Sequence, residues 1–286
     1  MSFPVPERCS DNVVEPLPGT AKKTKVYVVL EWPRGWSHDV LDGDTFGPEL
    51  TEALNAKLGK GASLQLIRRP GREGRWAEKL HLYLVFAEEA VTELLLVDGP
   101  DAVLTLDLTG PGHNGGQVVD EPLVLVCTHG KRDVCCAVKG RPLAQSLAQY
   151  APDIVWESSH MKGHRFAPAM LLLPWGYSFG RLNEHAAREL VSSAVEGRFF
   201  YPGNRGRGTL SAQEQVAELA VAQMLIDDAE PLAFGALAVD EEVVTHPDGR
   251  SWSVDVEQIV VDGVIASCGD EPKSSTAWVA AEVTPR

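Results

Sequence analysis

PLVLVCTHGKRDVCC, residues 122–136, decides how this chain is read. Its first part is apolar without alternation, the pattern of a strand covered on both faces. That strand lies in PLVLVCTHG (Pro122 to Gly130) and ends at Cys127. The loop KRDVCC then brings back Cys135 and Cys136. Further on, HMKGHRFAP (His160 to Pro168) offers His160 and His164. Eight residues separate Cys127 from Cys136, and three separate the histidines. Two thiolates and two imidazoles at these spacings form a candidate four-ligand metal set.

Working outward, AVKGRPLAQSLAQY (Ala137 to Tyr150) reads as helix, at least from Pro142, with Leu143 and Leu147 on one face. DIVWESS (Asp153 to Ser159) is a short strand leading to His160. The i, i+4 histidine spacing suits one helical face, but Gly163 between them suits an irregular loop equally well. APAMLLLP and WGYSFGRL pair as a hairpin around Pro174 to Gly176. NEHAARELVSSAVEG is a helix with Asn183 as N-cap and Gly197 as stop. Strand, helix, strand, hairpin, helix is the order of a thioredoxin-like domain. In open α/β sheets, ligands gather at the carboxyl ends of strands, where Cys127 stands.

Upstream, KVYVVLEW (Lys25 to Trp32) is a strand and PELTEALNAKLGK (Pro48 to Lys60) an amphipathic helix begun by proline. SLQLIRR and KLHLYLVFA are strands flanking a basic turn, PGREGR. AVTELLLV and AVLTLDL are apolar runs of undecided type. This N-terminal α/β unit echoes the order of the second one. PGHNGGQ (Pro111 to Gln117) is the best linker. The expected units are 1–116, an N-terminal α/β unit; 117–200, a thioredoxin-like ferredoxin domain; and 201–286, a C-terminal α+β extension. The last holds a helix with a Ser211–Glu214 capping box and a small antiparallel sheet. RFFYPGNRGRGTL, between them, reads as a flexible basic connector, with anion binding at Arg205 and Arg207 as the alternative.

The chain has 286 residues, 44% hydrophobic and 23% charged, ordinary for a soluble globular protein. A net charge of −14 argues against a general nucleic-acid binder. No apolar run is long enough for a signal peptide or a membrane span, so a cytoplasmic protein without a membrane partner is expected. Five cysteines are too few for a disulfide framework. Cys127, Cys135 and Cys136 cluster, which favours metal or redox chemistry. Cys9 and Cys268 read as ordinary lone thiols, one frayed and the other packed.

The ligand set suits a single zinc ion, although the eight-residue cysteine gap is wider than zinc sites usually use. A larger group fits that gap better. A [2Fe–2S] cluster with two thiolates on one iron and two imidazoles on the other is the Rieske-type arrangement. The order Cys, Cys, His, His is not that of a Rieske domain.

Cys127-x8-Cys136 enclosing HGKRD, followed by H-x-x-G-H-R-F-A from His160, resembles the sucrase/ferredoxin-like family of thioredoxin-like ferredoxins. The resemblance is strongest from Leu123 to Gly197. It implies a [2Fe–2S] cluster bound by Cys127, Cys136, His160 and His164, and an electron carrier more than a hydrolase. No carboxylate pair stands out for glycoside hydrolysis. Either vicinal cysteine suits a ligand role; the family spacing favours Cys136. A structural Cys2His2 zinc domain and a thiol-disulfide oxidoreductase using Cys135 and Cys136 are the alternatives. Imidazole ligands imply a pH-dependent reduction potential, on the order of −150 to +300 mV by analogy with Rieske centres.

Around the ligands, His129, Cys135, Lys131, Arg132 and Arg165 are candidates for direct contact with the ligating groups. Between Cys127 and Arg165, six basic residues face three acidic ones, a local charge of +3. These residues either solvate loops and offset cluster charge, or form a docking rim for an acidic redox partner. Trp156, Trp175 and Tyr177 flank the site in sequence and read as core.

Overall fold

Runs of β-branched and aromatic residues build two successive sets of strands. A computed structural model describes residues 8–59, 61–71 and 78–286. Lys60, most of the PGREGR turn and the start of the lead-in fall outside the described residues.

The first set contains β1 (Val26–Glu31), α1 (Pro48–Leu58), β2 (Ala62–Arg68), β3 (Leu80–Phe86) and β4 (Val91–Val97). β1 runs parallel to β2 and antiparallel to β3, which pairs antiparallel with β4. The second set contains β6 (Leu123–Cys127), α2 (Arg141–Tyr150), β7 (Val155–Ser158), β8 (Met170–Leu173) and β9 (Tyr177–Phe179). Its pairings repeat the first: β6 is parallel to β7 and antiparallel to β8, and β8 is antiparallel to β9. The echo in the sequence is therefore an echo of topology, with the third strand of each set reversed.

The sets join where β2 meets β7 antiparallel, through Ile67 opposite Ser158 and Arg68 opposite Glu157. The facing pair is also a buried salt bridge of 2.8 Å. The short β5 (Gln117–Val119) closes one edge on β4, and β10 (Asn204–Arg207) closes the other on β9. One mixed sheet of ten strands results. The chain is thus α/β, as the alternation of strand and helix signals predicts.

The sheet is curled. Gly176, between β8 and β9, lies so close to Tyr27 on β1 that an added Cβ would stand 3.4 Å from its hydroxyl. Three strands separate β8 from β1 in the sheet order. Alternate side chains explain the layers. Val124 and Val126 face the helices, whereas Leu123, Leu125 and Cys127 share an inner core with Tyr27, Val29 and Val85 of the first set. Burial on both faces is why β6 reads as unbroken apolar sequence.

Several elements differ from expectation. Pro100–Thr105, which overlaps the undecided run AVLTLDL, is a 3-10 turn, while Val91–Val97 in the other run is strand. The PGHNGGQ break leads directly into β5 on the first set's edge. The GNRGRG segment is an ordered edge strand, not a flexible connector. Arg205 is 2% exposed, donating to Thr20 and to the Lys162 carbonyl. Desolvation is offset in part because each guanidinium nitrogen donates to an oxygen and the group lies over Phe166.

The C-terminal part contains α3 (Glu184–Val195), α4 (Ala212–Asp227), β11 (Ala238–Asp240), β12 (Val243–Thr245), β13 (Ser251–Val264) and β14 (Lys273–Pro285). The last four strands form a separate antiparallel sheet. The Ser211–Glu214 capping box begins α4. This helix is buried between the two sheets and shares one core with Tyr177, Phe179, Val244 and Trp252. The turn from β13 to β14 carries Cys268 back to Asp133 and Cys135, in the loop that follows β6.

Candidate metal centre

β6 delivers Cys127 fully buried at its carboxyl end. The helix expected after KRDVCC begins earlier than its sequence suggests, because Cys136–Gly140 forms a wide π-type turn running into α2. Such turns recur at functional sites, since they re-aim side chains. Gly140 makes this one possible. A Cβ there would stand 2.0 Å from the Cys127 carbonyl oxygen. The turn thus lies flush against the strand end and sets Cys136 beside Cys127.

The histidine segment is an irregular loop, not a continuous helix. Gly163 takes φ +87°, and a Cβ on it would meet the Arg205 guanidinium at 2.6 Å. A 3-10 turn, His164–Phe166, follows. The two imidazole centroids lie 5.3 Å apart. Sulfur atoms of Cys127 and Cys136 and a ring nitrogen of His160 all lie within 4.8 Å of one another. His164 stands beside His160 but outside that tight group.

The polar partners fix the ring roles. His129 accepts the His160 N–H at its Nδ1 (3.1 Å), so its Nε2 carries the proton and donates to the Ser37 carbonyl (2.7 Å). Burial pushes the His129 pKa down, keeping the ring neutral. His164 Nε2 donates to the Ala266 carbonyl at 2.9 Å, leaving Nδ1 as the unprotonated nitrogen. Burial pushes the His164 pKa down as well, against the pull of Asp133. Nδ1 of both His160 and His164 is buried without a hydrogen-bond partner. Cys127 is held well below the usual thiol range, first by a hydrogen bond from Cys136 and further by His160 and the His129 N–H.

The remaining candidates separate. Cys135 points away from Cys136 and into another group, with Cys9, Cys268 and Asp133. Cys9 and Cys268 are therefore not the lone thiols the sequence suggests. Cys9 is neither exposed nor frayed, at 1% exposure. Arg165 binds Glu15 through two bonds of 2.6 and 3.0 Å, and Lys139 binds Asp11 at 2.6 Å. Both tie down the segment that carries Cys9. Arg132 lies 3.2 Å from His38, and Lys131 is exposed. Trp156 is core, fully buried beside Tyr83. Sequence reasoning missed Asp133 and Gly140, although KRDVCC and VKGRP hold both. A carboxylate and a glycine in a loop carry no signal of long-range packing.

The sucrase/ferredoxin-like family model matches residues 17–207, more than half of the chain. The chain belongs to the sucrase/ferredoxin-like family. Searches of curated proteins and of solved structures return no match. Among the described residues, no helix is long and apolar enough to cross a membrane.

Proposed function

We propose that this chain carries single electrons on a [2Fe–2S] cluster held by Cys127, Cys136, His160 and His164. The observation that carries the reading is the pair of buried Nδ1 atoms without partners, next to two buried thiols. Buried polar atoms are costly when unpaired, and ligation gives each a partner. His164 already has the second half of the usual arrangement, in which the non-ligating N–H donates to a carbonyl. The strand order of β9, β8, β6 and β7, with β8 reversed, supports a thioredoxin-like ferredoxin unit. When bound, such a cluster takes up and returns one electron, at a potential raised by imidazole ligation.

The chain's own residues divide the work. Leu125, Trp156 and Met161 exclude water from the cysteine side. His129 and Arg205 hold the histidine loop in place. The half-buried His160 borders a cleft of about 170 Å³ with Lys22, His38, Arg132 and Lys162. The cleft leaves the histidine side as the face a redox partner would reach, and its basic lining suits an acidic partner whose association weakens with salt. All five cysteines are free thiols, which suits a reducing compartment such as the cytoplasm.

A zinc ion on the compact Cys127, Cys136 and His160 group is the second reading. A vicinal Cys135–Cys136 redox pair is disfavoured because the two sulfurs belong to different groups. The test is anaerobic purification with iron and sulfide analysis, and electron paramagnetic resonance after reduction. Two irons and two sulfides per chain, lost on His164→Ala, are expected. Zinc at Cys127 without iron or sulfide would sink the proposal.

A further inference from the structure

Three thiols and a carboxylate meet beside the first site, and nothing in that site's reading uses them. Cys9 Sγ lies 3.6 Å from Cys135 Sγ, and Cys135 Sγ lies 3.2 Å from Cys268 Sγ. Cys268 Sγ closes the triangle at 3.6 Å from Cys9. Asp133 covers it, with Oδ1 at 3.4 Å from Cys268 Sγ and Oδ2 at 3.8 Å from Cys9 Sγ.

We infer that Cys9, Cys135, Cys268 and Asp133 form a second, mononuclear metal site that binds one zinc ion as Cys3Asp. A tetrahedral zinc with Zn–S of about 2.3 Å separates its sulfurs by about 3.7 Å, and sulfur from carboxylate oxygen by about 3.5 Å. The triangle and its carboxylate cap already have nearly these dimensions. They are too small for an iron–sulfur cluster, whose inorganic core spreads its thiolates over separate irons. They also do not match a disulfide, which needs sulfurs about 2.05 Å apart and engages only two of the three. With three buried or half-buried sulfurs and an oxygen donor, borderline-soft zinc fits better than calcium or magnesium, which take oxygen shells.

Backbone donors favour the anionic form of Asp133, whereas Cys9 and Cys268 are disfavoured as thiolates unless a cation binds. The Cys135 N–H donates to Asp133 Oδ1 at 2.8 Å, and the Cys268 N–H to Oδ2 at 3.2 Å. Burial opposes ionisation of Asp133, yet these N–H groups hold its carboxyl below the usual range. Burial and the neighbouring sulfurs push the Cys9 thiol up, and burial first of all lifts Cys268 to about 11. A dication reverses that penalty, and binding releases three thiol protons to solvent. Electrons do not move in this step.

The site does something for the fold. Cys9 precedes the family-matched region, and Cys268 follows it. The sulfurs of these two residues, 259 positions apart, meet over a loop of the family core. One ion there fastens the lead-in and the β13–β14 turn across the end of β6. It also reaches the first site, since Asp133 Oδ2 lies 3.7 Å from His164 Nε2.

The test uses the full chain, purified anaerobically from zinc-replete cells. Elemental analysis should find one zinc per chain, and zinc X-ray absorption a sulfur-rich shell near about 2.3 Å. Cys9→Ser and Cys268→Ser should each lower zinc affinity by about tenfold or more, with the visible spectrum and the iron and sulfide contents kept. Cys127→Ser should do the reverse, so failure of the cluster reading and failure of this one are distinguishable. If the variants do not accumulate, the wild-type absorption spectrum decides. Zinc absent, zinc bound only by nitrogen and oxygen, zinc affinity unchanged in Cys268→Ser, or a Cys135–Cys268 disulfide in the purified protein would each overturn the site.

Discussion

Cys135 and Cys136 are neighbours in the chain whose sulfurs serve different groups. Cys136 packs with Cys127, and Cys135 lies 3.2 Å from Cys268. Successive residues at the start of a helix project about 100° apart, so a vicinal pair is a natural divider between two sites. The wide turn at Cys136–Gly140 sets where each half points.

The pair gives a direct test of ligand assignment. Cys136→Ser should abolish visible absorption and strip iron from the protein. Cys135→Ser should leave the iron in place and lose the second metal instead. Iron and zinc analysis of both variants checks this. If Cys135→Ser also loses iron, the vicinal cysteines do not divide the sites.

Gly140→Ala should damage the first site from a distance. The added methyl would overlap the Cys127 carbonyl, at 2.0 Å, and no side-chain rotation relieves a clash with backbone. Either the π-type turn or the end of β6 must shift. Overpacking of this kind costs about 1–3 kcal/mol, and Cys136 moves away from Cys127. A lower urea midpoint together with substoichiometric iron is expected. Full iron content at wild-type stability would show that the turn has slack.

Much of this arrangement is legible in the sequence where the signal is local. The unbroken apolar run at Leu123–Cys127, the Met170–Phe179 hairpin and the caps at Asn183 and Ser211 all follow from neighbours within a few residues. Convergence of Cys9 and Cys268 on Cys135 is of another kind. Nothing near either residue marks it, because the contact is made by the tertiary path of the lead-in and of the β13–β14 turn. Arg205 failed for a related reason. An arginine in GNRGRG looks solvated until Thr20 and Lys162 are brought to it by other segments. The histidine spacing left helix and loop open, and the positive φ of Gly163 decides for the loop.

His129 should act as a positioning residue for His160. Its two ring nitrogens bridge the His160 N–H and the Ser37 carbonyl. His129→Ala orphans both groups, each at a cost of about 1–3 kcal/mol. The histidine loop then loosens while all four proposed ligands remain. Iron loss to a chelator should accelerate about tenfold, with the cluster spectrum unchanged at the start. An unaltered rate of loss would remove His129 from the supporting structure.

Glu218 should set a pH dependence of stability that is separate from both metal sites. It lies buried on α4, with Tyr177 donating to it at 2.8 Å and Arg207 at 2.9 Å. Burial outweighs both and lifts its pKa from 4.5 to about 7. The folded carboxyl therefore holds its proton more tightly than the unfolded one does. Its stabilising contribution is complete below the unfolded value of 4.5 and is lost as pH rises through about 7. The loss is on the order of 3 kcal/mol, from about 1.4 kcal/mol per pKa unit. Glu218→Gln keeps the shape and an acceptor for Tyr177 but does not titrate. The stability of wild type relative to this variant should therefore fall between pH 4.5 and about 7, then level off. Urea midpoints at pH 4, 5, 6, 7 and 8 measure it. Parallel profiles for the two proteins would mean that Arg207 keeps the carboxylate ionised throughout, and that the ion pair, not burial, governs how α4 is held on β9 and β10.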